Sequence, residues 1–323
     1  TVTQTDVFVA YIEGIANKEL VHTVNKRIES LDIDGIVDSS ELMQLIEDHH
    51  ITLFPRLIQT ERPDKTAAAL MQGEIAIFVD GSPFVTTGPA YFASMFQVTD
   101  DYYSRPFIAT VTRLLRYAAF FIVLLVPGLY VAISTYHQEM IPTVLLITII
   151  NQRSANPFPT YIETLIMLIL FEIIREAALR KPSVVGDSMT IVGSLIIGQT
   201  IVQAGLVSYI VIIIVSITSI AGFILSSTRL SNAMRVLTFA FLFLGAAFGL
   251  YGITIGVILL ILHLSSLTTL DQPYLAPMAP LNLHDQEDQF LRLPLSWMKY
   301  RPKIYKTTNR VRHNLNQEKR KEE

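Results

Sequence analysis

Two glutamines, Gln199 and Gln203, lie in a stretch of the chain that is otherwise suited to a lipid bilayer. The stretch from Ser188 to Ser208 reads SMTIVGSLIIGQTIVQAGLVS and contains no charged residue. A spacing of four places both amides on one face of a helix. Because hydrocarbon offers no hydrogen-bond partners, each amide must bond to another helix or to water. The stretch therefore predicts either a helix–helix contact or a water-filled polar path.

Two carboxylates, Glu163 and Glu172, lie in or near another apolar stretch, and Arg175 is placed to neutralise one of them. An ionisable group inside a membrane span is a functional candidate, because burying it in hydrocarbon is costly. Two interpretations stay open at this point. The groups form an ion-pair cluster at the cytoplasmic edge of the membrane, or they line a water-filled pathway.

Small residues in the Ser188–Ser208 stretch favour close approach of neighbouring helices. A pair of small residues four positions apart lets two helix backbones come together. Ser194 and Gly198 have this spacing, and the stretch contains further glycines. We therefore expect close helix packing at Gly193, Ser194, Gly198 and Gly205.

Motifs typical of soluble enzymes do not occur in the sequence. There is no phosphate-binding GxxxxGK[ST] loop, no HExxH zinc motif, no GxSxG nucleophile elbow and no cysteine. His49 and His50 adjoin acids, but adjacent residues of a helix point apart, which argues against a shared metal ion. We expect a protein that is not an enzyme, with no catalytic residue, metal or cofactor, and with membrane lipid rather than nucleic acid as its partner.

The composition is that of a membrane protein. Hydrophobic residues make up 51% of the 323 positions, charged residues only 16%, and the mean hydropathy is +0.43, whereas a soluble domain has about 25% charged residues. A short apolar run at 141–150 is predicted to be re-entrant or interfacial, and the last long run is expected to break near Gly249–Gly252. The sequence predicts about five to six membrane helices, within residues 117–136, 158–174, 189–207, 209–225 and 233–264.

The first 90 residues have a different pattern. Short β-rich runs alternate with amphipathic runs, which predicts a small α/β domain. This domain begins without Met and almost directly with a predicted strand, so we expect a fragment whose N-terminal part is missing. The expected organisation is an α/β domain at 1–90, an interfacial elbow at 91–116, a transmembrane helical domain at 117–265 and a C-terminal tail at 266–323.

The positions of arginine and lysine predict the orientation in the membrane. Bases are concentrated before the first span, after the second and fourth spans, and in the tail. The positive-inside rule then puts the α/β domain and the tail both in the cytoplasm. Ends on the same side require an even number of crossings, which favours six over five.

Several motifs resemble the A subunit of the GerA-type spore germinant receptors. They occur in both halves of the chain, in the order found in that family, and the resemblance covers residues from about Val7 to Pro302. The motifs are GIANKELVHTVNKRIESLDIDGIVDSSELMQLIED, TERPDKTAAALMQGEIAIFVDGSPF, HQEMIPTVLL, EIIREAALRKP, VGSLIIGQTIVQAGLVS and PYLAPMAPL.

The resemblance implies an integral protein of the spore inner membrane that triggers germination. It implies a transporter-like B subunit and a lipoprotein C subunit as partners, assembly into a homo-oligomer, and passage of monovalent cations when nutrients arrive. The segment Ala178–Asp187 and the Ser208–Tyr209 pair depart from the family pattern, which puts the loop geometry and the nutrient in question. Two rivals are a secondary transporter of the germinant, although no repeated halves are detected, and a scaffold that relays a signal through its α/β domain.

Overall fold

The computed structural model describes residues 3–48, 51–154, 156–179 and 198–312. The chain forms two compact units. The first, here called the α/β unit, consists of the residues up to Leu115 together with those from Ile261 onward. The second, here called the helical unit, runs from Arg116 to Leu260.

A four-stranded antiparallel sheet forms the centre of the α/β unit. Its order is β1-β3-β4-β2, and Ile75 of β3 is opposite Gly88 of β4. The hairpin between β3 and β4 turns at Gly81, whose φ of +80° suits glycine. The predicted α/β region is thus confirmed. The strands are β1 (Val7–Ala10), β2 (Ile58–Thr60), β3 (Ile75–Val79) and β4 (Val85–Gly88).

Helices α1 (Lys18–Glu29), α2 (Ser39–Ile46) and α3 (Pro63–Gln72) accompany the sheet. Their ends follow local sequence signals, because Asn17 and Asp38 accept backbone N–H bonds at the first two N-termini and Gly73 closes α3 at φ +98°. Apolar side chains of α1, α2 and β3 form one buried core, which includes Leu20, Val24, Leu42, Met43, Ile46, Ile75 and Ile77.

The C-terminal segment, residues 267–312, belongs to the α/β unit. It starts with a short hairpin of β5 (Thr268–Thr269) and β6 (Gln272–Pro273). Backbone bonds then tie it to the first part of the chain, from the Phe92 amide to the Tyr274 carbonyl (2.9 Å) and from the Thr308 amide to the Ile15 carbonyl (3.1 Å). Arg301 donates to the Met71 carbonyl at 2.8 Å. Arg301, one of the basic residues of the C-terminal segment, therefore stabilises the folded unit through a hydrogen bond.

The helical unit is built from long apolar helices. A helical segment at residues 198–203 precedes α8, and α5 and α9 each extend into the α/β unit. Val131, Met167, Val211 and Leu242 are among the residues of their common core. The helices are α4 (Asp100–Tyr103, in the α/β unit), α5 (Pro106–Tyr136), α6 (Thr143–Arg153), α7 (Thr160–Leu179), α8 (Tyr209–Ile224) and α9 (Thr228–Ser266).

Helix α9 reverses direction at Gly249. This residue has φ 60° and ψ −142°, a conformation that only glycine adopts readily. A Cβ placed on Gly252 would strike the Leu244 carbonyl, and one on Gly256 would lie 2.8 Å from the Leu244 side chain. In a straight helix these positions would be about 12 and 18 Å apart along the axis. The two arms therefore lie against each other as a helical hairpin.

Each interruption in these helices is compensated by a hydroxyl from another helix. Pro127 has no N–H, so the Val123 carbonyl four residues earlier lacks its helical partner. The Thr238 hydroxyl of α9 donates to that carbonyl at 2.8 Å. The Tyr136 hydroxyl of α5 in turn donates to the carbonyl of Ala246 (2.9 Å), just before the break at Gly249. Such compensation is what an apolar environment requires.

Among the described residues, two helices are long and apolar enough to cross a membrane, Pro106–Tyr136 and Thr228–Ser266. Helix α8 is apolar but shorter. The first of these helices begins at Pro106, eleven residues before the start of the predicted span at residue 117. The count of five to six membrane helices is not confirmed, and the predicted span at 189–207 is described only from residue 198 onward.

Candidate functional site

Among the described residues of the helical unit, Glu163 is the most deeply buried carboxylate. It lies in the first turn of α7 and is fully inaccessible to solvent. One carboxylate oxygen accepts the backbone N–H of Ser208 at 3.0 Å, and the other lies 3.3 Å from the side-chain amide of Asn156. Ser208 is the N-cap residue of α8, directly before Tyr209. The positive end of the α8 dipole therefore faces this carboxylate.

Further polar groups converge on the same place. Tyr130 of α5 brings a buried hydroxyl to within electrostatic reach of Ser208, Arg153 and Glu163. The Arg153 Nε is also buried, with no hydrogen-bond partner in the described part of the chain, and the buried Ser208 hydroxyl faces that of Tyr130. These four residues, with Asn156, are here called the Glu163 cluster. It combines carboxylate, amide and hydroxyl oxygens. Such oxygens can coordinate a hard cation or take part in proton transfer.

A cavity of about 260 Å³ lies beside the cluster and shares Arg153 with it. Its polar wall is formed by Ser134 near the end of α5, Gln138 just after α5, and Ser154 just after α6. The rest of its wall is aliphatic, from Ile141, Leu146, Ile149 and Ile150. The cluster is therefore next to a space large enough for several water molecules.

The second predicted carboxylate, Glu172, connects two helices. It pairs with Arg175 one turn away on α7, as the spacing predicts, and with Arg235 of α9 at 2.5 Å. Its side chain is 37% exposed, so the pairing is partly screened by solvent. Arg235 could not be recognised from the sequence as a partner of Glu172, because 63 residues separate the two. Its position as a basic residue after the fourth predicted span was the only sequence feature that pointed to the membrane edge.

The glutamines lie on the surface of the chain. Both Gln199 and Gln203 are exposed in the helical segment at 198–203. Gly193 and Ser194 lie outside the described residues. A Cβ on Gly198 would meet no described atom within 4 Å, and Gly205 has φ +66° at the end of the helical segment. The glutamine face is thus turned away from the described core of its own chain.

Close helix packing occurs at two glycines that the sequence analysis did not single out. A Cβ on Gly128 of α5 would lie 2.6 Å from the Phe241 carbonyl, and one on Gly245 of α9 would lie 2.5 Å from the Gly128 carbonyl. The two backbones touch here, so neither position accepts a side chain. Gly128 was recognisable only as part of a Pro-Gly pair, and Gly245 had no local signal.

The α/β unit contains a buried carboxylate of its own, Glu74, at the start of β3. Burial raises the pKa of Glu74 to about 7, although the Tyr305 hydroxyl donates to it at 2.7 Å. Lys65, whose own pKa is lowered by burial, is the nearby charge that opposes this rise. Sequence analysis missed this group because Tyr305 comes 231 residues later. In the described part of the chain, no group of three or more His, Asp or Glu side chains is arranged to hold a metal ion.

Comparison with known proteins gives consistent matches over the chain. The family model of the Bacillus/Clostridium GerA spore germination protein matches residues 1–304. Spore germination protein KA of Bacillus subtilis (strain 168) is 44% identical over 98% of this chain and 58% of its own length. The uncharacterized membrane protein YfkQ of the same organism is 42% identical over 96% of this chain and 60% of its own.

One solved structure is also similar in sequence. It is the N-terminal domain of the A subunit of the Bacillus megaterium spore germinant receptor GerK3, which is 51% identical. The match covers 27% of this chain and 70% of that chain, with a TM-score of 0.22. The chain spans about three fifths of the length of the curated relatives it matches. Together the family and relative matches confirm the resemblance carried by the sequence motifs.

Proposed function

Because the chain belongs to the Bacillus/Clostridium GerA family of spore germination proteins, we propose that it is a membrane subunit of a nutrient-sensing receptor that triggers spore germination. The observation that carries this proposal is the family match over residues 1–304, together with relatives named as spore germination proteins. A transporter-like B subunit and a lipoprotein C subunit are its proposed partners. The spore inner membrane is its proposed location, with the α/β unit in the cytoplasm.

Within that receptor, the proposed role of this chain is the oligomeric, ion-conducting part. Two features support it. The Glu163 cluster gathers a carboxylate and other buried polar atoms among apolar helices, next to a cavity. Gln199 and Gln203 are turned outward, where an adjacent copy of the chain would meet them. Several copies would then enclose a polar path between their glutamine faces, while lipid covers the apolar outer surface.

Nutrient binding on a partner would act by shifting a packing equilibrium in this chain. The bond from Ser208 to Glu163 joins the start of α8 to α7, so a movement of α8 changes the partners of the carboxylate. In the closed packing the carboxylate is held by backbone and amide. In the open packing it would be free to attract a monovalent cation.

The proposal is tested by monovalent cation release from spores of an endospore-forming host that carries the full-length protein. For Glu163→Gln we expect nutrient-triggered release to slow by about tenfold, since the neutral amide attracts no cation. Gln199→Leu should also alter release, while co-purification of the receptor subunits stays unchanged. Glu139→Gln is the matched control, because Glu139 is exposed in the short 3-10 helix Gln138–Met140. Normal release in both Glu163→Gln and Gln199→Leu would contradict the conducting role.

Two further measurements separate the rival functions. Conductance of the purified protein in planar bilayers distinguishes a conducting subunit from a scaffold that only relays a signal. Uptake of labelled nutrient into vesicles would identify a transporter of the germinant. The proposed role predicts conductance of monovalent cations without uptake of the nutrient.

A further inference from the structure

The loop between α2 and β2 presents apolar side chains to the outside of the α/β unit. Ile51 is 95% exposed and Leu53 is 46% exposed. No charged residue occurs from Ile51 to Pro55, which reads ITLFP. Turns at the surface of a soluble domain are usually polar, and clustered exposed apolar residues mark a surface that contacts something.

The base of this loop is fixed, so the exposure of its tip is imposed by the fold. Phe54 is only 2% exposed and its ring packs edge-on against Phe92 at 6.3 Å. Arg56 is buried and forms an ion pair with Glu47 at 3.0 Å. The apolar tip is therefore held outward from the core instead of folding back onto it.

The loop is also attached to the last turn of the apolar helix α9. The Thr52 hydroxyl lies 3.1 Å from the His263 Nε2, and the Phe54 and His263 rings are 6.2 Å apart. On the same turn of α9, Ile261 and Leu262 are 53% and 60% exposed. This contact joins the loop to the helix end, and their exposed apolar side chains are here called together the 51–54 patch.

We propose that the 51–54 patch inserts into the lipid bilayer at the boundary between headgroups and acyl chains. This rests on the membrane location given under the proposed function. The helix end that contacts the loop is where a membrane-crossing α9 leaves the hydrocarbon, so the bilayer surface lies at the level of the loop. Thr52 and His263 supply the polar groups suited to the headgroup zone, and Ile51 and Leu53 supply the apolar anchors.

Tryptophan fluorescence in vesicles with brominated lipid tests this contact. The only natural tryptophan, Trp297, is 67% exposed and can be changed to Phe to give a silent background. A single tryptophan is then introduced as Ile51→Trp, as Val37→Trp or as Phe121→Trp. Val37 is 78% exposed and precedes α2, whereas Ile51 follows it, so it is the matched control in the same unit. Phe121, at the middle of α5, is the reference for hydrocarbon.

For the reconstituted full chain, lipid brominated near the headgroup should reduce the emission of Ile51→Trp by about twofold, as expected for a shallow interfacial residue. The emission of Val37→Trp should not change. If Ile51→Trp is not quenched while Phe121→Trp is quenched by lipid brominated deep in the chain, the 51–54 patch does not enter the membrane and the inference is wrong. If Phe121→Trp is not quenched either, the membrane location itself fails.

Discussion

Glu74 and Glu163 are both buried, but their surroundings differ. Glu163 accepts a backbone N–H at the start of a helix, and Arg153 is close by. Glu74 accepts a hydrogen bond from the Tyr305 hydroxyl. The positive charge that acts on it is that of Lys65, whose own pKa is lowered by burial. A donor from a helix N-terminus supports the negative charge of a carboxylate. At Glu74, burial outweighs the Tyr305 hydrogen bond and raises the pKa to about 7.

Glu74→Gln should therefore stabilise the α/β unit at neutral and higher pH. The pKa of Glu74 is raised from 4.5 to about 7. Between these values the unfolded chain loses the proton while the folded chain keeps it, so stability falls as pH rises from about 4.5 to 7. Full ionisation costs about 3 kcal/mol. Unfolding of the full chain, followed by the emission of Trp297 in this unit, should show a smaller difference between pH 5 and pH 8 in the variant.

The exposed Glu29 supplies the control for this experiment, because Glu29→Gln should leave the pH dependence of unfolding as in the wild type. A wild-type midpoint that is equal at pH 5 and pH 8 would exclude a raised pKa at Glu74.

Sequence analysis could identify only one of these two carboxylates. Glu163 stands out because a charge in an apolar run is rare, even though its partner Ser208 is 45 residues away. Glu74 looks like any surface acid at the start of a strand. Its burial depends on Tyr305, and a contact over 231 residues leaves no local pattern.

At the scale of the elements, helix ends follow local chemistry but helix partners do not. Asn17, Asp38 and Gly73 end or begin their helices as their residue types predict. The break of α9 at Gly249 also follows from its length and glycines. The hydrophobic pattern does not predict that the chain reverses direction at Gly249. The reversal depends on the backbone torsion angles of this residue and on packing against α5.

Thr238→Val should destabilise the helical unit by about 1–3 kcal/mol, the cost of leaving a buried polar group unpaired. Valine keeps the shape of threonine but cannot donate to the Val123 carbonyl that Pro127 leaves open. Thr254→Val is the matched control, because the exposed Thr254 hydroxyl bonds only within its own helix. Loss of helical circular dichroism on heating in detergent measures both variants. If Thr238→Val and Thr254→Val unfold at the same midpoint temperature, the Thr238 hydrogen bond does not stabilise the helical unit.

At the scale of the whole molecule, the first and last parts of the chain fold together. Residues 267–312 complete the α/β unit, and the buried Tyr91 bonds to the Ile304 carbonyl across 213 positions. Sequence composition described this region as a basic tail, because charge alone does not reveal which bases are buried. A common unit for both ends requires that they lie on one side of the membrane, as the distribution of arginine and lysine also predicts.

The hairpin in α9 allows that arrangement to be tested, because its two arms are each about 26–31 Å long and could each cross a bilayer. These 323 residues contain no cysteine, so a single cysteine introduced among them is the one thiol of this part of the protein. In cells that express the full-length protein, with any cysteine elsewhere in it changed to serine, a membrane-impermeant maleimide should label Tyr251→Cys, at the exposed turn, without lysis. Thr228→Cys, Ser265→Cys and Val37→Cys should be labelled only after lysis. If Thr228→Cys and Ser265→Cys react from opposite sides, α9 crosses the membrane once and its two arms do not form a membrane hairpin.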